Sequence, residues 1–252
     1  MVIREGKGPE VVLVQGGASP ATTWSALAPL KGRWTLATAH RRGYPPSPPP
    51  PSGRQDFDID AADLASLLDR RLHVVAHSYG ALGALIAATR KPAQVRSLTL
   101  IEPPPFCRAP DDPELTRFQL MGDEFLAHGL ETDPATLREF LRIAGSSVPD
   151  DGPLPESVVH AVRRAHGSRS PREARPALDV LRDAGIPMLV ASGDHAPFLE
   201  RAAGALAAEL RAQRLVAPGA GHFVAAAPGF GERLEQFLTS ADLGWRSCQP
   251  VR

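Results

Sequence analysis

The stretch VVAHSYGALGAL, residues 74 to 85, sets one hydroxyl nucleophile between two apolar runs. A run of β-formers ends at Ala76, and a small-residue helical pattern begins at Gly80. A strand, a sharp turn bearing a nucleophile and a helix make a nucleophile elbow, whose usual pattern is Gly-x-Ser-x-Gly. Here it reads Ala76-His77-Ser78-Tyr79-Gly80, with alanine in the first place. Small residues at both ends let strand and helix approach while Ser78 occupies a strained backbone conformation. Its hydroxyl is then expected to project from the carboxyl edge of a sheet, beside the Tyr79 amide at a helix N-terminus. The same serine could do no more than cap the helix. Two further stretches bear on that choice. In GAGHFV, 219 to 224, His222 sits in a Gly-rich loop able to present an imidazole, although a lone loop histidine can also be merely solvated. In QGGAS, 15 to 19, the Gly17 N–H can pair with that of Tyr79 as an oxyanion hole. An early serine, a late histidine and an upstream Gly loop point to acyl transfer, with imidazole as general base.

Such residues need a scaffold that brings distant loops to one edge. VVLVQ (11 to 15), RWTLATA (33 to 39), HVVA (73 to 76), VRSLTLI (95 to 101), GIPMLVAS (185 to 192) and RLVA (214 to 217) read as strands. Their continuous apolar character is that of parallel strands covered on both faces. Helical spacing falls between them: 21 to 30 with Trp24 and Leu27 inward, 56 to 68 with Asp60 early, 78 to 90, 198 to 210 and 231 to 240. The proline-rich run 40 to 52 is a loop. Residues 106 to 180 hold helical patterns and no clear strand. The expected fold is therefore α/β: a doubly wound, mostly parallel sheet with helices on both faces and an inserted helical lid. Residues 1–105 and 181–252 would form the core and 106–180 the lid.

Composition narrows the partners. Lys plus Arg equals Asp plus Glu at 28 each, so the basic excess expected of a nucleic-acid partner is missing. The N-terminal residues show no signal-peptide pattern, and no stretch has the length of a membrane span. Cys107 and Cys248 form neither metal spacing nor a disulfide framework, which makes a reducing cytoplasm the expected location. Arg163, Arg164, Arg169, Arg172 and Arg175 make the end of the insert basic. They are expected to form a solvated face balanced by Asp111, Asp112, Asp150 and Asp151, with attraction of an anionic substrate as the other possibility. Phe118, Leu120, Phe125 and Phe140 offer apolar helix faces for core or pocket.

QGG near the start, HRRGYPPS at 40 to 47, AHSYG, LIEPP at 100 to 104, IPMLVASGDHAPF at 186 to 198 and PGAGHFV together resemble the alpha/beta-hydrolase superfamily over nearly the whole chain. The resemblance implies a Ser-acid-His hydrolase with no metal or cofactor, acting on a small-molecule substrate. This chain departs from the family at Gln15, where the oxyanion loop usually opens His-Gly, and at His40, where Asp is usual. Its N-terminal strand is short, so the first edge strand is expected to be missing. The family's commonest acid follows the strand IPMLVAS, but Ala196 stands in that place and Asp194 comes two residues early. The other acid position follows the strand after the nucleophile helix, which here is Glu102. A carboxylate ending a buried strand needs a reason. Orienting His222 is one, and pairing with an arginine is another. Glu102 is thus the expected acid, with Asp194 as the alternative. His77 is expected to pack in the elbow, and His195 to be structural or substrate-facing. The expected activity is cleavage of an ester or related acyl bond of a small, largely apolar molecule. The alternatives on the same fold are a lyase, a cyclase, a cofactor-free haloperoxidase or a non-catalytic ligand-binding relative. A serine at the elbow argues against haloalkane dehalogenase or epoxide hydrolase chemistry, which needs aspartate there.

Overall fold

The computed structural model of the chain describes residues 1–106 and 112–246; Cys107, Asp111 and Cys248 lie outside them. The elements run β1 (Val2–Gly6), β2 (Glu10–Val14), α1 (Pro20–Trp24) continuing into a 3-10 segment (Ser25–Gly32), β3 (Thr35–Ala39), α2 (Phe57–Leu67), β4 (Leu72–His77), α3 (Gly80–Arg90) and β5 (Val95–Ile101). Then come α4 (Pro113–His128), α5 (Pro134–Ile143), α6 (Glu156–Ala165), α7 (Leu178–Asp183), β6 (Met188–Ser192), α8 (Pro197–Leu210), β7 (Gln213–Val216) and α9 (Phe230–Arg246).

The seven strands form one sheet in the order β1-β3-β2-β4-β5-β6-β7. All neighbours are parallel except β1, which pairs antiparallel with β3. The expected absence of a first edge strand is corrected by β1. VIREG carries no apolar run because β1 is largely exposed, so hydrophobic patterning has nothing to record. In the inner strands both faces are buried. Val12, Val14, Val74 and Ala76 point into a core shared with α2, α3, α7 and α8. Val11, Leu13 and Val75 point into a second core with Trp24, Leu27 and α9. This two-sided burial explains why the strands read as continuous apolar runs rather than alternating ones.

The chain turns from β2 to β3 on one side and then crosses to β4 on the other. Such a reversal opens a crevice at the carboxyl ends of β2 and β4, where doubly wound sheets hold their ligands. The loop after β2 and the turn after β4 meet there.

Between β5 and β6 the described residues form helices and no strand of the sheet. Asp112 and Asp133 cap α4 and α5 by accepting from the Leu115 and Thr136 amides. Phe125, Leu137, Leu141, Val158 and Val162 give α4 to α6 their own small core. Helix α7 differs: Ala174, Leu178 and Leu181 join the main core, so a boundary at residue 180 passes through a helix that packs below the sheet.

One expectation about charge is met and extended, and another is corrected. Asp60 lies in the first turn of α2, with Asp56 as the cap, and is in addition buried against Arg41 at 2.7 Å. The arginines closing the insert are balanced by other acids than expected. Arg169 pairs with Asp56, Asp58 and Glu173, and Arg172 with Asp123, whereas Asp112 pairs with Arg201 and Asp150 with Arg142.

At the amino end of the sheet lies a buried polar network. His73 Nδ1 is 2.7 Å from Ser97 Oγ, and His73 Nε2 is 3.1 Å from Asp242, which also accepts from Arg96. Ser97 and His73 are fully buried.

Candidate active site

Ser78 occupies the turn between β4 and α3 with φ of 51°, in the left-handed region that a side chain normally avoids. Its neighbours force this. Gly80 starts α3 so close to the first loop that a Cβ there would lie 2.3 Å from the Gln15 carbonyl oxygen. A Cβ on Gly16 would lie 2.6 Å from the Cβ of Ser78. Only glycine at both positions lets the elbow and the upstream loop touch. Ser78 N–H donates to the Ile101 carbonyl at 2.9 Å, tying the elbow to β5.

The upstream loop is fixed from behind. Arg41 donates to the Gly16 carbonyl, and Tyr44 donates to that of Gly17, each at 2.9 Å. Arg41 also holds Asp60 and Gln55, and its guanidinium lies 4.9 Å from the Tyr79 ring centre. Gln15, the departure from His-Gly, is fully buried. With its amide turned to donate to the Ala39 carbonyl (2.7 Å) and accept from the Arg41 N–H (3.3 Å), it staples β2 to the end of β3. His40 Nδ1 meets the Pro45 carbonyl at 2.6 Å and takes no part in the cavity. Sequence reasoning missed Arg41, whose available signal is a charged residue two positions past the end of the buried β3.

Ser78, Tyr79, Gly17, His77, His222 and Glu102 line one cavity of about 270 Å³. Phe118, Phe125, Phe140 and Val162 from α4 to α6 close it with apolar surface, while Leu120 of the same helical pattern faces out. Asp123 and Arg172, paired with each other, are the charged exceptions in its insert wall. A wider groove of about 1090 Å³ runs beneath the insert past Arg54, Asp179 and Arg182, and contains neither Ser78 nor His222.

His77 reaches across to the His222 loop, and its Nε2–H donates to the His222 carbonyl at 2.8 Å. Its ring also stacks on Phe223 at 5.7 Å. Burial lowers the pKa of His77 to about 3. The same cause, followed by the nearby His195, lowers that of His222 to about 3, so its ring is unprotonated at neutral pH. Glu102, at φ 47° directly after β5, is almost fully buried. Its Oε1 accepts from Gly193 N–H at 2.7 Å, and its Oε2 lies 3.6 Å from His222 Nδ1. Burial raises its pKa, opposed by His195 and by the Gly193 hydrogen bond.

Asp194 stands apart. It is exposed, is absent from the cavity wall, and its backbone N–H donates to Glu200. His195, expected to be structural or substrate-facing, is absent from the cavity wall. It lies 3.8 Å from Glu102 through Nδ1, and its Nε2–H donates to the Ile143 carbonyl at the end of α5.

Residues 11–230 match the model of the alpha/beta hydrolase family, and the chain belongs to that family as an alpha/beta-fold hydrolase. Similar sequences are a pimeloyl-[acyl-carrier protein] methyl ester esterase from Methylococcus capsulatus, 32% identical over 72% of this chain and 70% of its own, and a 2-(acetamidomethylene)succinate hydrolase from Mesorhizobium japonicum, 29% identical over 88% of this chain and 84% of its own. Among solved structures, MenH from S. aureus superposes with a TM-score of 0.69 at 13% identity, over 96% of this chain and 98% of that one. Among the described residues no helix is long and apolar enough to cross a membrane.

Proposed function

We propose that the protein is a serine hydrolase that cleaves an ester or related acyl bond of a small, largely apolar molecule through an acyl-enzyme. The observation that carries this reading is the strained Ser78 in a cavity shared with His222, with the Glu102 carboxylate 3.6 Å behind that imidazole. Ser78 Oγ attacks the acyl carbonyl carbon as His222 Nε2 takes its proton. The carbonyl oxygen becomes an oxyanion between the N–H groups of Gly17 and Tyr79, and Tyr79 offers one of the free amides of a helix start. Collapse expels the alcohol, which takes the proton from His222. Water then repeats the steps on the acyl-enzyme and frees the acid. Glu102 holds the Nδ1–H tautomer and stabilises the imidazolium. A separation of 3.6 Å is long for a hydrogen bond, and catalytic contacts of this kind tighten when substrate binds.

Helices α4 to α6 are the lid of this reading, and the span 106–180 contains them. Their aromatic residues support an apolar acyl group. A cavity of about 270 Å³ lies just under the range of roughly 300–1,000 Å³ that drug-sized ligands fill, which favours a short acyl chain. The esterase and hydrolase relatives point to the same chemistry. A fluorophosphonate probe tests the proposal: the native protein should be labelled on Ser78, and Ser78→Ala should lose both labelling and ester hydrolysis. Labelling that survives Ser78→Ala would place the nucleophile elsewhere.

A further inference from the structure

We propose that Glu102, His195 and His222 form a site for a zinc-class divalent cation, whose binding reversibly switches off hydrolysis. The link to hydrolysis rests on the triad reading above; the donor set does not. One ring nitrogen from each histidine and a Glu102 carboxylate oxygen all lie within 4.8 Å of one another. Some point then lies within about 2.8 Å of all three atoms, so inward shifts under about 1 Å reach the 2.0–2.2 Å of zinc–nitrogen and zinc–oxygen bonds. The ligands come from the loops after β5, β6 and β7.

His195 supplies the second, independent observation. Its Nε2–H is committed to the Ile143 carbonyl at 3.0 Å. The other ring nitrogen is Nδ1. That nitrogen is buried with no hydrogen-bond partner, and what it faces, at 3.8 Å, is a carboxylate oxygen. A buried ring nitrogen without a partner, facing a carboxylate oxygen from beyond hydrogen-bond distance, leaves a gap that a cation can fill. A ring whose far N–H is held by a backbone carbonyl is also the usual arrangement of a metal-binding histidine, because the outer hydrogen bond fixes the tautomer. Two imidazoles and one carboxylate select zinc-like ions over magnesium or calcium, which prefer all-oxygen sites. Three protein ligands leave a fourth position for water.

Binding would disable the general base without unfolding anything. Coordination through His222 Nδ1 moves the ring proton to Nε2. The ring neither gains nor loses a proton overall, but the lone pair that must accept the Ser78 proton is gone. Glu102 is engaged by the metal as well.

The test uses the full chain carrying Cys107→Ser and Cys248→Ser, so that thiols contribute no metal signal. Zinc chloride is titrated against hydrolysis of a short p-nitrophenyl ester, and cobalt(II) is titrated while its visible absorption is recorded. Zinc should inhibit, EDTA should restore activity, and magnesium at the same concentration should do nothing. Cobalt should develop the strong bands of a low-coordinate site. His195→Ala should raise the zinc concentration for half inhibition, measured against its own uninhibited rate, at least about tenfold, and should remove the bands. His195→Gln keeps an amide donor for Ile143 but has no ring nitrogen to ligate, so it separates loss of the metal from loss of the loop. Zinc curves that superimpose for parent and both variants, or cobalt bands that survive them, would overturn the proposal; a proton on His195 would then be what fills the gap. If the triad reading fails instead, Ser78→Ala still hydrolyses the ester while the cobalt bands and their dependence on His195 remain.

Discussion

Glu102→Gln removes one charge and changes the shape of the side chain very little. The amide oxygen can still accept from Gly193 N–H, as Oε1 does at 2.7 Å. The amide nitrogen then faces His222 Nδ1, where it is a donor and favours the tautomer with the proton on Nε2. The magnitude follows from distance. At 3.6 Å and an effective dielectric near 20, a carboxylate favours an imidazolium by about 4–5 kcal/mol. Burial and His195 keep the resting ring neutral, so the imidazolium formed in the transition state depends on that attraction. At about 1.4 kcal/mol per decade this is a loss of roughly a thousandfold in kcat. The wrong tautomer adds to it; the same acid-to-amide change, which removes charge and tautomer control together, costs about ten-thousandfold in the best-studied triad. Steady-state hydrolysis of p-nitrophenyl butyrate at pH 8, beside thermal melts of both proteins, measures the effect. Asp194→Asn, at an exposed residue outside the cavity, should stay within about threefold of the parent. A Glu102→Gln enzyme within tenfold of the parent, or a larger loss in Asp194→Asn, would refute this reasoning and move the acid to the loop after β6.

Other outcomes are as specific. Because burial lowers His222 to about 3, kcat/KM should show no acid limb centred at the ordinary imidazole value of about 6.5; such a limb would mean that the ring is solvated. Burial holds His73, His77 and His222 neutral to about 4, 3 and 3. Between those values and about 6.5 the unfolded chain binds more protons, so stability should fall as pH drops below about 6.5, by up to about 1.4 kcal/mol per ring per unit. Urea midpoints that match at pH 7 and pH 5 would contradict it. Arg41→Met should cost about 3–5 kcal/mol in urea melts, because Asp60 is left buried without its partner; a cost under 1 kcal/mol would show that water reaches the pair. Butyrate esters should exceed palmitate esters in kcat/KM by at least about tenfold if the 270 Å³ cavity holds the acyl chain, and equal rates would place the chain outside it.

The inner strands were legible because two-sided burial writes uninterrupted apolar runs, and the elbow because a tight strand–helix turn demands small residues around the serine. β1 was not, because an exposed edge strand is held by backbone hydrogen bonds that any sequence can make. Nor was the use of Asp60, since a helix-start acid and a buried ion-pair partner look alike until Arg41 is seen folding back over it. The opposed pair of His195 and Glu102 joins residues 93 positions apart through two parallel strands, and no local pattern encodes that separation. The departure at Gln15 is readable only in three dimensions, where its amide joins neighbouring strand ends.

The network of Ser97, His73 and Asp242 gives the molecule an internal control. Its hydroxyl and carboxylate stand at 2.7 and 3.1 Å from the imidazole, a tighter relay than the 3.6 Å between His222 and Glu102. Yet Ser97 lies mid-strand in β5 with no accessible surface, and no electrophile can approach it. A search that ranked triads by hydrogen-bond quality would choose the inert one. On the proposed reading, reactivity is a property of the exit path: a nucleophile must be able to leave its resting partner for a carbon atom, and the end of a strand opening onto a cavity provides the trajectory. The better-bonded trio is a rivet between sheet and terminal helix, and substituting it should alter melting and leave turnover per folded molecule alone.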